Sequence, residues 1–200
     1  MPLDQEHRDP IEYLHLLDPD LAATVQRQLE RFDPVVSAAV AALLVDDIFW
    51  GLAREMSFGQ AIAAGYLQLM TRAEYGVLEN YHRLVRAAGA RGPTIGRLMA
   101  IHLAPVLIDG DHSLLQLFTA AMGVMESKGI YTLMQPLEAL SQLLNLGERS
   151  SATMFLKLLS VAFGKDLSYN QCQHLSVNLP RAMLSFAKTK RVWQLEQLLR

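Results

Sequence analysis

A chain of 200 residues with 51% hydrophobic and 19% charged side chains is a folded one, because disordered segments are poor in apolar residues and rich in net charge. About 70% of the unfolded surface can be buried at this length, so neither disulfides nor a structural metal is needed and no cofactor is expected. A formal charge of −2 excludes a global field for nucleic acid or an acidic membrane, and the single cysteine, Cys172, cannot close an intramolecular disulfide, so a reducing, cytoplasmic setting is expected.

Residues 1–17 read as an acidic segment ahead of one α-helical repeat domain over 18–200. Asp4, Glu6 and Asp9 stand where a secretory signal requires basic and then apolar residues. Asp18-Pro19 and Asp33-Pro34 each pair a helix-capping acceptor with a proline suited to the first turn, so two helices start there. The second is expected over residues 34–54, where an alanine-rich run favours helix and Ile48, Phe49 and Trp50 are to be buried. Its apolar stretch, residues 35–45, is closed by Asp46 and Asp47, short of the roughly 20 residues a membrane span requires; it reads as a buried helix, and no membrane span is expected.

Ser57 is expected to cap the next helix. Later breaks fall at residues 71–74, 90–93, 109–111, 128–129, 147–150 and 165–168, each rich in glycine, serine or charge. A last helix is expected from Arg181 or Lys190 to the final residue, with Trp193, Leu195, Leu198 and Leu199 uncovered. A repeat array needs a polar terminal unit, so either further repeats or another copy is expected to cover that edge, and the sequence reads as a piece of something longer. No alternating stretch with hairpin chemistry occurs, which makes the class all-α.

Spacing adds a register. Gly110-Asp111-His112-Ser113 aligns with Gly147-Glu148-Arg149-Ser150 at an offset of 37 residues, followed by Phe118 with Phe155 and Val124 with Val161. One period earlier Leu78 falls under Leu115, Tyr81 under Phe118 and Gly92 under Gly129. Ser57, Thr94 and Ser168 share one phase, as do Leu103, Leu140 and Val177. Two helices per 37 residues is the requirement of stacked αα-hairpins, since one hairpin cannot bury its apolar face alone. The expected architecture is a right-handed αα-superhelix; evenly sized helices in an irregular bundle are the competing reading.

This periodicity resembles α-helical repeat proteins of the HEAT, armadillo and tetratricopeptide kind. The early Trp and Leu-Gly pair of the 34-residue tetratricopeptide unit does not recur, so the resemblance is to the HEAT kind. It implies a binding surface on one layer of helices, here the second of each pair. Arg97, Gln135, Glu138, Gln142, Gln171 and His174 are the polar residues that phase places on it.

Chemical motifs are sparse. Glu12 to His15 and Glu79 to His82 repeat a Glu-x-x-His spacing that di-iron bundles use, which would also need two of Glu30, Glu55, Glu126 and Glu138. The first pair lies between Pro10 and Pro19, too short a helix for such a bundle, and no metal ligand or catalytic residue is assigned. His102, His112 and His174 have no zinc spacing. His102, among Leu98, Met99, Ile101 and Leu103, reads as a partly buried structural imidazole, and Cys172 as a small hydrophobe. Arg181, Lys188, Lys190 and Arg191 form a basic patch, read chiefly as a solvated helix boundary.

The expected function is a non-catalytic protein-interaction scaffold whose partner is another protein, with self-association at the C-terminal edge as a further route. A small-molecule or metal-dependent helical enzyme is the alternative. Nucleic-acid binding through the basic patch is a second one, disfavoured by the near-neutral charge.

Overall fold

The computed structural model describes residues 10–72, 74–108 and 112–189. Among them are ten α-helices, one 3₁₀ turn and no strand. The helices are α1 (Pro10–Leu17), α2 (Pro19–Leu29), α3 (Pro34–Leu52), α4 (Met56–Met70), α5 (Tyr75–Arg91), α6 (Pro93–Ile108), α7 (His112–Ser127), α8 (Met134–Asn145), α9 (Arg149–Phe163) and α10 (Tyr169–Thr189). The 3₁₀ turn, Ile130–Thr132, leads into α8.

Local chemistry accounts for many of these ends. Asp18 accepts from the backbone N–H groups of Asp20 at 3.1 Å and Leu21 at 3.0 Å. Asp33 does the same for Val35 and Val36, at 3.0 and 3.1 Å. Each aspartate satisfies amides that a helix start leaves without partners, and the following proline had no N–H to satisfy. Ser57 departs from expectation: α4 starts one residue before it, with Glu55 at the cap position. The Ser57 hydroxyl donates to the Glu55 carboxylate instead of capping an amide.

Another correction concerns the last helix. α10 begins at Tyr169 and runs without interruption through Pro180 to Thr189, so no helix starts at Arg181. A proline inside a helix forfeits one hydrogen bond; here its ring is buried, in a helix that packs on α8 and α9. Lys190, Arg191, Trp193, Leu195, Leu198 and Leu199 lie outside the described residues.

Some helix starts recur at an offset of 37 residues, while α3, α8 and α10, at 34, 134 and 169, depart from it by two to four. α5, α7 and α9 begin at residues 75, 112 and 149, and α4 and α6 at 56 and 93. Gly92 and Gly129, 37 residues apart, take φ values of 155° and 111° with the same ψ of 149°, a region that side chains with a Cβ avoid.

The chain forms two compact units, Met1–Ala104 and Pro105–Arg200, and the division falls inside α6, before Pro105. In the first unit α3 packs on α1, α4 and α5, and α2 on α1 and α4. Tyr81 in α5 donates to the Ala100 carbonyl of α6 at 2.9 Å. That reach depends on Gly65 of α4, where a Cβ would lie 1.9 Å from the Tyr81 hydroxyl. Phe58, Ile62, Tyr66, Leu69, Leu78 and Tyr81 are fully buried there.

In the second unit α7 packs on α9 and α8 on α10, while α9 also touches α8 and α10. Phe118 of α7 and Phe155 of α9, 37 residues apart, are both buried in its core, with Leu137, Leu140, Leu159 and Phe163. Thr132 locks the turn before α8, its hydroxyl lying 2.9 Å from the Met125 carbonyl and 2.7 Å from that of Gly129.

α3 is long and apolar enough to cross a membrane by length and composition, and 39% of its most apolar window is buried. The aspartates expected to close its apolar stretch lie within the helix. Asp46 is exposed, whereas Asp47 is fully buried.

Candidate functional site

The residues expected to form a docking surface divide between the two units. In the second unit, Gln135, Glu138 and Gln142 lie at helical spacing along one face of α8 and are all exposed. Asn145 continues the row, and Gln142 Nε2 is 3.5 Å from Glu138 Oε1. On α10 the exposed row is Gln171, His174, Asn178, Arg181, Ser185 and Lys188. Intervals of three and four residues keep each row on one side of its helix. Gln171 is partly committed, since its side chain accepts from the Ser168 backbone N–H at 2.9 Å. His174 lines a shallow depression of about 370 Å³ with Asn170, Gln173, Val177 and Asn178. Amide side chains, which can each donate and accept, are three of the four residues in the α8 row and two of the six in the α10 row.

Arg97 lies elsewhere, on the α6 portion of the first unit. Half-buried, it pairs with Glu55 at 3.5 Å and donates to the Ser57 hydroxyl at 3.1 Å. Its guanidinium is therefore occupied with fixing the start of α4. Of the basic patch, Arg181 and Lys188 are exposed on α10, and Lys190 and Arg191 fall outside the described residues.

The first unit contains a polar centre that sequence spacing did not reveal. Asp47 of α3 is fully buried. Its carboxylate accepts from the Tyr66 hydroxyl of α4 at 2.6 Å and from Arg86 Nε of α5. His82 Nδ1, one turn before Arg86, lies 2.9 and 3.0 Å from its two oxygens. A carboxylate can only accept, so Nδ1 donates to it. Arg86 also pairs with Asp46 and stacks on Trp50, 4.4 Å from the ring centroid, with Arg54 at 3.9 Å. One buried carboxylate is thus met by the Arg86 guanidinium, the Tyr66 hydroxyl and the His82 ring, the condition under which a buried charge persists. Burial and the adjacent Asp47 charge push the Tyr66 phenol far above its ordinary pKa, so it keeps its proton and donates it to Asp47.

A buried aspartate holding an imidazole by Nδ1 is also the orienting half of a general-base arrangement. The cluster ties α3, α4 and α5 together through Asp47, Tyr66, His82 and Arg86. The Glu79–His82 spacing that drew attention in the sequence does not work as a pair: His82 is turned to Asp47, 35 residues away.

The other Glu-x-x-His pair, Glu12 and His15 of α1, lines an open groove of about 930 Å³ between α1, α2 and α3. Glu30 lies on the same groove. No three His, Cys, Asp or Glu among the described residues approach closely enough to hold a metal ion. Cys172 is buried. His102 is only 9% exposed, and loss of hydration lowers its pKa to about 4, so it is neutral at ordinary pH.

No protein-family model, no curated protein and no solved structure matches the chain.

Proposed function

We propose that this chain is a non-catalytic protein-interaction scaffold, built as a stack of 37-residue αα-hairpins, that docks a partner protein on the second helices of its hairpins. The observation carrying this reading is the pair of exposed polar rows on the neighbouring helices α8 and α10. Buried apolar faces hold these helices in place, while Gln135, Glu138, Gln142, Asn145, His174, Asn178 and Arg181 are free of any duty to the core.

The hairpin reading draws support from the packing order inside each unit. α1 with α3 and α3 with α5 are neighbours, as are α2 with α4, in the first unit; α7 with α9 and α8 with α10 are neighbours in the second. Contacts between every second helix are what side-by-side hairpins produce. The recurrence of helix starts at 75, 112 and 149 agrees with the same module.

Alanine at Glu138, Gln142, His174 and Arg181 tests the surface. Exposed substitutions move stability by about 0.5 kcal/mol or less each. The variant is therefore expected to melt as the wild type does, while losing a protein that the wild type captures from its native host. A control carrying alanine at exposed Gln116 and Thr119 of α7 should keep that protein. Equal capture by all three proteins would overturn the proposal.

A further inference from the structure

The groove of the first unit has an acidic rim over an apolar floor. Glu12 and Glu30 are exposed on it, whereas Ile11, Leu29 and Ala41 beneath are buried and Phe32 is half-buried. On the helices that form it, Leu16 and Val35 leave 79% and 80% of their surface in water, and Leu17 leaves half. The segment supplying α1 is strongly acidic, with six acids against Arg8 in residues 1–20, a net −5.

The chain carries the complement of this surface at its other end. Residues 181–200 hold Arg181, Lys188, Lys190, Arg191 and Arg200 against Glu196, a net +4. In residues 190–200, which lie outside the described part, Val192, Trp193, Leu195, Leu198 and Leu199 alternate with those charges.

We propose that the groove between α1, α2 and α3 receives the basic, apolar segment 190–200 of a second copy of this chain. Lys190 and Arg191 face Glu12 and Glu30, and Trp193 with the leucines enters over Ile11, Leu29 and Phe32. Groove and segment are different surfaces, so the contact is heterologous: each copy offers one of each, and association runs from copy to copy unless a ring closes. Exposed opposite charges drive the encounter, and salt weakens it because at physiological ionic strength exposed charges more than about 8 Å apart are largely screened.

Sedimentation of the full 200-residue chain tests this. At low salt the average mass is expected to rise with concentration to at least twice the 22.3 kDa of one copy, and to return to that value at high salt. Glu12→Lys with Glu30→Lys, and separately Lys190→Glu with Arg191→Glu, should each hold the chain at the mass of one copy. Mixing the two reversed variants should restore association, because the basic groove of one then meets the acidic segment of the other. A single-copy mass at every concentration in low salt would overturn the proposal. So would association indifferent to salt, reversed variants that associate like the wild type, or a mixture of them that stays at single-copy mass.

Discussion

Two adjacent aspartates share one arginine, and their burial should separate their energetic roles. Asp47 accepts from Tyr66, His82 and Arg86 and is fully buried. Asparagine there keeps one acceptor but turns an N–H₂ group towards donors, so at least one of the three loses its partner and the guanidinium loses the buried one of its two counter-charges. Breaking a buried pair costs about 3–5 kcal/mol, and leaving the Tyr66 hydroxyl unsatisfied accounts for about 1–3 kcal/mol of such a loss. The side chains of Arg86 and His82 are 25% and 31% exposed, so water recovers part of it, and Asp47→Asn should cost about 2–4 kcal/mol. Asp46 binds the same guanidinium but is 73% exposed; Asp46→Asn should cost about 0–1 kcal/mol. Urea unfolding of both variants, compared at constant m, reads the difference. An Asp47→Asn loss no larger than that of Asp46→Asn would refute the reasoning.

Substitutions at other buried positions have defined outcomes. The folded-state pKa of His102 is about 4 against an ordinary 6.5, so between those values the unfolded chain binds a proton that the folded one refuses. Stability should rise with pH across that window, by about 3 kcal/mol in all, and urea midpoints of His102→Gln should lose this part of the slope; parallel profiles would contradict it. Gly65→Ala places a Cβ 1.9 Å from the Tyr81 hydroxyl and should cost about 2–5 kcal/mol through overpacking and a lost buried hydrogen bond. Adding Tyr81→Phe should recover part of that loss in thermal melts, and additive costs would contradict the contact. Thr132→Val should destabilise by about 1–2 kcal/mol by removing the hydroxyl that closes the turn before α8, while Thr132→Ser stays close to wild type in denaturant titrations.

Where sequence chemistry is local, the structure follows it. Asp18 and Asp33 cap helices because capping needs only the next three residues, and Gly92 and Gly129 take the same unusual backbone 37 residues apart. The exposed rows of α8 and α10 were legible for the same reason, as helical phase alone separates Gln135, Glu138 and Gln142 from buried Leu137, Leu140 and Leu143. Ser57 failed as a cap because α4 starts one residue before it, and its oxygen accepts from Arg97 rather than from a helix amide. Arg97 shared the phase of the docking residues yet is held by Glu55, 42 residues earlier in sequence.

Asp47 was missed on different grounds. Read along the chain, it ends an apolar run; read by phase, it lies on the face of Leu44 and Gly51, both buried. An acid on that face demands donors, and His82 with Arg86 at one-turn spacing could have been sought as the answer. Which helix supplies them is a tertiary fact, set by α3 packing on α5.

The docking claim is tested most directly by site-specific photo-crosslinking in the native host, with the crosslinking residue placed at Gln142, His174 or the exposed Ala120 of α7. Adducts of one common mass from positions 142 and 174, absent from position 120, are the predicted result. No adduct at either docking position, or the same adduct at all three, would contradict it.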